Sequence, residues 1–380
     1  MVKSNKEENG KGVFLISKED LKKPHTIRIT VICILFFILL TMGMTNLYST
    51  SLGTSYFFIQ LRNLLITIPA FILFAWFIPI RRINSYAYWV FGLVCLLLLT
   101  VLLLGRIAGG AQRWISIAGI SFQPSEFAKL ATAIIVARFF HSNRQASAYT
   151  LKDIWPLAIS LGMVFAMIFS QPDFGTAGVC ILIALAQIFF IRIDYRSLGI
   201  LFLLGLLLAF IGWHFVLMEY QKLRVINLFN PDLDPQNSGY NSLQSIIAVG
   251  SGNIFGKGFL QGTQAHLRFL PERHTDFAFS VFAEEHGFWA GALVFILFSI
   301  LSYIALDVAK HAKDTFSGLL AIGIAAFIFL EFSINVAMVL GIFPVVGIPL
   351  PFFSYGSSSL LTICIGLGLL VSINRATYNK

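Results

Sequence analysis

Long apolar runs separated by short polar stretches make up most of the chain between residues 27 and 374. The runs fall at roughly 27–46, 57–80, 86–104, 123–141, 154–170, 174–191, 197–218, 277–306, 316–340 and 358–374. An apolar helix of about 18 residues or more can cross a hydrocarbon core about 30 Å thick. The pattern therefore predicts an all-α, polytopic membrane domain at 27–374 with about ten transmembrane helices, between polar tails at 1–26 and 375–380.

The basic residues between the runs indicate the orientation of the helices. If both termini lie inside, that side collects the basic residues of both tails and of the loops near 81–82, 144–152, 192–196 and 310–313. Cytoplasmic loops carry such an excess of Lys and Arg. We therefore predict a multi-pass protein with both termini in the cytoplasm.

The remaining basic residues lie on or near the outer side, against this bias. They are Arg62, Arg106, Arg113, Lys129, Lys222, Arg224, Lys257, Arg268 and Arg273. Each one alone is most simply a solvated loop charge. As a group they favour an anionic ligand on the outside.

Two connections on the outer side are unusual. The longest one, 219–276 between the seventh and eighth runs, contains "NSLQSIIAVGSGNIFGKGF", which indicates structure lying on the membrane instead of a flexible linker. The stretch "GIFPVVGIPLPFFSYGSSS", from residue 341, holds three Pro and several Gly and cannot be helical. An irregular apolar segment at membrane depth must be buried in protein or line a cavity, so it is predicted to form a wall of an external site.

Charged side chains within a span usually have a partner or a task. In "FQPSEFAKLA", Pro124 can open a helix that places Glu126 and Lys129 three residues apart on one face, where they should pair. A purely structural pair and a role in substrate binding are equally compatible with this spacing. Glu331 lies in the middle of a span without a local partner, so only a polar contact within the bundle is predicted for it.

The stretch "PERHTDFAFSVFAEEHGF" places several ionisable groups at the start of the eighth run. Thr275 is predicted to cap the helix and Asp276 to lie in its first turn, where the helix dipole favours an anion. Glu284 and Glu285 lie too deep for capping. They should need hydrogen-bond partners or a water-filled cavity.

Composition excludes an ordinary soluble domain, because 57% of the residues are hydrophobic and only 12% are charged. The net charge of +9 is explained by membrane topology and anionic lipid headgroups, and no feature indicates nucleic-acid binding.

All four cysteines lie inside apolar runs without metal-ligand spacing. Neither disulfides nor a zinc site is predicted for Cys33, Cys95, Cys180 and Cys364.

Five segments occur in the order and spacing of the SEDS family (FtsW, RodA and SpoVE). They are "GAQRWISIAGISFQPSEFAKL", "QPDFGTA", "YNSLQSIIAVGSGNIFGKG", "FLPERHTDFAFSVFAEEHGF" and "NVAMVLGIFPVVGIPLPFFSYGSSSLL". The chain resembles this family over essentially its whole membrane region, and the RodA group is the most similar. The resemblance implies a peptidoglycan glycosyltransferase of the bacterial cytoplasmic membrane, which polymerises lipid II on the outer face during elongation. It also implies a class B penicillin-binding protein and the elongation machinery as partners.

The resemblance implies that Asp276 is the catalytic carboxylate and that Glu126 and Lys129 form an ion pair. The reaction needs a base for the acceptor hydroxyl and positive charge for the pyrophosphate leaving group. A divalent cation, Mg²⁺ or Mn²⁺, is a further candidate source of that charge, and no metal ligand is assigned. The predicted substrate-binding residues are Lys129, Glu126, Arg113, Arg224, Arg273 and Ser354, and the predicted structural polar residues are Glu284, Glu285 and Asn335.

Two other functions stay open at this point. A transporter or flippase for lipid-linked precursor would also use a helical bundle with external cations and buried acids, but repeats and paired broken helices are not evident. A noncatalytic membrane scaffold would tolerate Asn in place of Asp276. Synthesis of glycan by the purified protein separates the enzyme from both.

Overall fold

The computed structural model describes residues 24–378, except Gly53, 109–110, 118–119, Ala146, 230–237 and Arg268. The helices are α1 (Pro24–Thr50), α2 (Tyr56–Ile72), α3 (Ile80–Ser85), α4 (Ala87–Leu104), α5 (Pro124–Ser142), α6 (Leu151–Phe169), α7 (Phe174–Phe189), α8 (Tyr195–Ile211), α9 (Glu219–Phe229), α10 (Ser238–Ser251), α11 (Thr263–His266), α12 (Ala278–Lys310), α13 (Thr315–Val339) and α14 (Ser357–Tyr378). Five-residue π-helical turns extend α2 to Phe77 and α8 to Val216. The all-α, polytopic architecture is confirmed.

Within the described residues, eight helices are long and apolar enough to cross a membrane. They are α1, α2, α4, α6, α8, α12, α13 and α14, the second and fifth together with their π-helical turns. The shorter α7 and the charge-bearing α5 lie where the sixth and fourth spans were predicted. The total of ten transmembrane helices remains a prediction.

The core of the bundle is formed by α5, α13 and α14, most of whose side chains are buried. Apolar burial alone drives little association inside a membrane, because lipid tails are as apolar as side chains. Close backbone approach and polar contacts must contribute instead. Gly323 of α13 lies so close to Ala133 of α5 that an added Cβ would come within 2.7 Å of its methyl group. Beside it, the Gln187 amide donates to the carbonyls of Ala133 and Leu319, both at 2.9 Å.

A small antiparallel sheet between α4 and α5 is the feature that the hydrophobic pattern did not predict. It consists of β1 (Arg106–Ala108), β2 (Ala111–Ile117) and β3 (Ile120–Phe122) in the order β1-β2-β3. Two of its strands have three residues each, which is too short for an alternating pattern to be visible. The sheet carries Arg113.

The described parts of the two unusual connections have defined structure. The 219–276 segment contains α9, α10 and α11. Residues 341–356 form no helix between α13 and α14, and Gly341 and Gly347 adopt positive φ angles of 70° and 73°. This non-helical segment, residues 341–356, packs against the start of α12 and is called the hairpin loop below.

Candidate active site

Asp276 lies in a turn and not in the first turn of α12. The helix begins at Ala278 with Phe277 at its N-cap position, and no side chain caps it. The Thr275 hydroxyl bonds the Glu272 carbonyl oxygen at 3.2 Å and the Glu272 carboxylate at 3.0 Å. The predicted cap at Thr275 and the predicted first-turn position of Asp276 are therefore wrong. The reason is that the backbone N–H groups of Thr275 and Phe277 both bond the carbonyl of Glu272, which closes a turn before the helix starts.

Three consecutive backbone carbonyls hold this turn against the hairpin loop and α13. The His274 carbonyl accepts from the Tyr355 backbone N–H at 2.7 Å, and the Thr275 carbonyl accepts from the Ser354 hydroxyl at 2.5 Å. The Asp276 carbonyl accepts from the Asn335 amide at 2.9 Å. Satisfied buried hydrogen bonds fix a backbone firmly, so the position of Asp276 depends on these contacts.

Asn335 and Ser354 both connect the Asp276 turn to the hairpin loop. The Asn335 amide also donates to the Ile348 carbonyl at 2.7 Å, so one side chain joins the Asp276 turn to the hairpin loop. The predicted structural role of Asn335 is consistent with this contact. The Ser354 hydroxyl also accepts from the Leu350 N–H at 2.8 Å. The contacts shown by Ser354 are to protein backbone, and its predicted contact with substrate remains a prediction.

The Asp276 carboxyl lies beside Gly347 of the hairpin loop. A Cβ added at Gly347 would be 3.4 Å from Asp276 Oδ2. The positive φ of Gly347 is a second reason for glycine at this position. Desolvation by burial, and then the charge of Glu272, raise the pKa of Asp276 to about 6, while Arg224 and Arg113 oppose that rise. The turn thus holds a carboxyl that titrates closer to neutrality than an ordinary aspartate, which suits a general base.

Arg113 and Arg224 bring positive charge to the same region from two distant segments. Arg224 of α9 donates to the Val345 carbonyl of the hairpin loop at 3.1 Å. Arg113 of β2 donates to the Gln171 carbonyl at 3.1 Å and to the Pro172 carbonyl, and lies 3.8 Å from the Asp173 carboxylate. Both arginines act electrostatically on Asp276, so the structure brings together three of the predicted site residues.

Asp173 was not predicted as a site residue, although it lies in the quoted motif "QPDFGTA". Its buried carboxylate accepts from Ser125 Oγ at 3.1 Å and from Gln123 Nε2 at 3.3 Å. It therefore connects Arg113 to the beginning of α5. The signal available in the sequence was an acidic residue directly before an apolar run, the same signal that singled out Asp276.

Glu126 and Lys129 form the predicted ion pair, with Lys129 Nζ 2.8 Å from Glu126 Oε2. The helix opens at Pro124 as expected. Lys129 also pairs with Glu331 of α13, which gives Glu331 the polar contact within the bundle that was predicted without a partner. All three side chains are at most 3% exposed. This geometry favours a purely structural role for the Glu126–Lys129 pair over substrate binding, because two carboxylates enclose the Lys129 ammonium group.

The remaining predicted polar residues bond α1 and the 219–276 segment. Arg273 donates to the Thr50 carbonyl at the end of α1 at 3.0 Å. Glu284 Oε1 accepts from Lys257 Nζ at 2.7 Å and from the Thr263 N–H at 2.8 Å, and Glu285 accepts from the Ser49 hydroxyl. The predicted need of both glutamates for hydrogen-bond partners is confirmed.

The described residues contain no group of three or more His, Cys, Asp or Glu arranged to hold a metal ion. A divalent cation bound together with a substrate pyrophosphate remains a proposal. The four cysteines are free thiols.

The sequence profile of the FtsW, RodA and SpoVE family, described as "Cell cycle protein", matches residues 25–379. The chain belongs to this family. Among the curated relatives of this SEDS protein, peptidoglycan glycosyltransferase MrdB of Escherichia coli strain K12 is 39% identical over 297 residues, covering 78% of this chain and 80% of MrdB. Stage V sporulation protein E of Bacillus subtilis strain 168 is 33% identical over 365 residues, covering 91% of this chain and 96% of that protein.

Solved structures of SEDS proteins have the same fold. A chain from work on the structural coordination of polymerization and crosslinking by a peptidoglycan synthase complex aligns with a TM-score of 0.79 at 29% identity, covering 92% of this chain and 98% of that chain. The rod shape determining protein RodA of Thermus thermophilus aligns with a TM-score of 0.68 at 27% identity, covering 92% and 97%.

Proposed function

We propose that this SEDS protein is a peptidoglycan glycosyltransferase that polymerises lipid II into β-1,4-linked glycan strands, with Asp276 as the general base. Family membership and the names of the relatives support the enzyme class. The observation that carries the residue assignment is the Asp276 carboxyl, held by its backbone in a fixed turn, with a raised pKa and with Arg113 and Arg224 as its cationic surroundings.

The reaction follows from the chemistry of these groups. The 4-hydroxyl oxygen of the acceptor sugar attacks the anomeric carbon of the donor while its proton passes to the Asp276 carboxylate. The bond from that carbon to the pyrophosphate oxygen breaks, and its electron pair leaves with undecaprenyl pyrophosphate. A single displacement of this kind inverts an α-linked donor to a β linkage. The leaving group carries its own charge, so it needs nearby cations instead of a protonating acid.

Arg113 and Arg224 are the side chains best placed to supply that charge. Both act on Asp276, and both are only partly buried. Lys129 is 1% exposed and already paired with two carboxylates, so a direct contact with pyrophosphate is not part of this proposal.

We also propose a location, an orientation and a partner for this protein. The chain is a multi-pass membrane protein, and we place it in the bacterial cytoplasmic membrane with both termini inside and Asp276 at the outer face. A class B penicillin-binding protein is the proposed partner. The similar chain from a peptidoglycan synthase complex supports this pairing. Co-expression with the cognate transpeptidase should yield a complex that polymerises faster than the chain alone.

The test of the central assignment is Asp276→Asn in purified protein supplied with fluorescent lipid II. Loss of general base catalysis should lower turnover by about 100-fold or more, while lipid II binding stays close to wild type and the melting temperature does not fall. Glu272→Gln is the matched control, since it removes an acid from the same turn and should leave turnover at pH 8 within about threefold. Near-normal synthesis by Asp276→Asn would exclude this role, and would return the flippase and scaffold functions to consideration.

A further inference from the structure

A cavity of about 400 Å³ lies between α4, α5 and α6 at the end of the bundle opposite Asp276. Its wall joins the beginning of α4, the end of α5 and the beginning of α6. At 1.5 Å per residue, the end of α5 at Ser142 lies roughly 27 Å from Pro124 along the helix axis, nearly the thickness of the hydrocarbon core. The cavity is thus separate from the proposed active site.

The lining combines apolar and polar side chains. Apolar side chains come from α5 and α6, and polar groups come from Tyr88, from the segment that follows α5, and from Asp153 and Ser160 of α6. The apolar members include Ile135, Phe139 and Leu157, and the polar members include Tyr88, Asn143 and Gln145. Exposed aromatic side chains at this end, among them Trp89 and Trp155, are typical of the membrane–water interface.

Arg138 lies next to this cavity, although it is not one of the lining residues, and it is the nearby cation on which the proposal below depends. Its guanidinium carbon lies 5.9 Å from the centre of the Tyr88 ring, a wall of the cavity, and its Nη1 donates to Asn84 Oδ1 at 2.9 Å. Its Nε–H is buried and has no hydrogen-bond partner. In the described part of the chain, no carboxylate lies within ion-pair distance of Arg138. A cation near membrane depth with an unused donor needs an anionic partner.

The one carboxylate in the lining does not supply that partner. Asp153 caps α6, where its Oδ2 accepts from the Thr150 N–H at 2.7 Å and from the Thr150 hydroxyl at 2.8 Å. Other basic side chains exposed at this end, Arg81, Arg82 and Lys152, add to the positive field. Basic pockets between transmembrane helices are typical sites for anionic lipid headgroups.

We propose that the cavity beside Arg138 binds one anionic glycerophospholipid. The phosphate accepts from the Arg138 guanidinium, the glycerol and headgroup hydroxyls lie among Tyr88, Asn143 and Gln145, and an acyl chain follows the apolar wall of α5 and α6. Because the cavity lies between helices at the interface, the lipid can enter from the surrounding leaflet. This site is independent of the polymerase reaction.

Native mass spectrometry of delipidated protein titrated with phosphatidylglycerol or phosphatidylcholine tests the site. Wild type should retain one phosphatidylglycerol per chain in preference to phosphatidylcholine. Arg138→Gln removes the charge and Ser160→Trp fills the cavity without changing the charge. Each should weaken retention by about tenfold or more, which for Arg138→Gln is the scale of one charge-assisted hydrogen bond. Arg196→Gln, an exposed arginine at the same end but outside the cavity, should change it less than twofold.

Three outcomes would overturn the proposal. They are equal retention of both lipids by wild type, equal loss in Arg196→Gln and Arg138→Gln, and full displacement of phosphatidylglycerol by millimolar inorganic phosphate. The last result would identify a site for free anions. Ser160→Trp keeps the test decisive if Arg138→Gln fails to fold, because it leaves the guanidinium and its bond to Asn84 in place.

Discussion

At the residue scale, the environment of Asp276 predicts the pH dependence of the reaction. If Asp276 is the general base, as proposed, it works only when deprotonated, so kcat/KM should rise with pH through a midpoint near the pKa of about 6. Glu272→Gln removes a charge that raises this pKa and should move the midpoint to lower pH. Arg224→Gln removes a charge that lowers it and should move the midpoint to higher pH. Initial rates with lipid II between pH 4.5 and 8.5 measure both shifts.

Shifts of both midpoints in the same direction, or no shift, would contradict this assignment of Glu272 and Arg224 as the charges that set the pKa of Asp276.

The raised pKa of Asp276 also affects the stability of the fold. Since the folded-state value lies above the ordinary 3.8, the folded protein binds this proton more tightly than the unfolded chain. This group therefore makes the fold less stable as pH rises from about 4 to about 6. Asp276→Asn should remove that part of the pH dependence of unfolding.

Ser354 offers a residue-scale test of positioning against binding. Ser354→Ala leaves the Thr275 carbonyl without its donor and lets the Asp276 turn move, whereas Ser354→Thr keeps a hydroxyl. If Ser354 positions the turn, Ala should lower kcat by about tenfold with little change in KM, and Thr should restore most of it. If Ser354 binds lipid II, as the sequence predicts, KM should rise instead. Steady-state kinetics of both variants separate the two roles.

At the scale of elements, the buried charges of Glu126, Lys129 and Glu331 fix α5 against α13. One turn beyond Glu331, α13 carries Asn335, which holds the Asp276 carbonyl. Lys129→Met would leave two buried carboxylates without a cation and should destabilise the fold by about 3 kcal/mol or more. Glu331→Gln keeps the Lys129–Glu126 pair and should be tolerated much better. Thermal unfolding in detergent ranks the two variants, and equal losses would contradict a shared structural role.

At the scale of the whole molecule, orientation is the prediction to test. In a cysteine-free background, Gln261→Cys, near the Asp276 end, should react with an impermeant thiol reagent applied to intact cells. Arg82→Cys, which is exposed at the opposite end, should react only after the membrane is opened. The reverse pattern would place Asp276 in the cytoplasm and contradict an external active site. A second predicted external position, 237, lies outside the described residues.

The sequence by itself determined the features that depend on local rules. Membrane spans follow from runs of about 20 apolar residues, the start of α5 from Pro124, and the Glu126–Lys129 pair from a spacing of one helical turn. The non-helical hairpin loop follows from its prolines and glycines. The catalytic assignment of Asp276 came from the motifs of the SEDS family, because no local rule distinguishes a base from a capping aspartate.

Only the tertiary structure decided which distant groups meet. Lys129 and Glu331 are 202 residues apart, and Ser354 is 79 residues from the carbonyl that it holds. Residue spacing cannot predict such contacts, since they depend on how whole helices pack. The local rule failed at Thr275, where a turn closed by the Glu272 carbonyl replaced a helix cap. The raised pKa of Asp276 likewise arises from burial among three segments that the sequence keeps far apart.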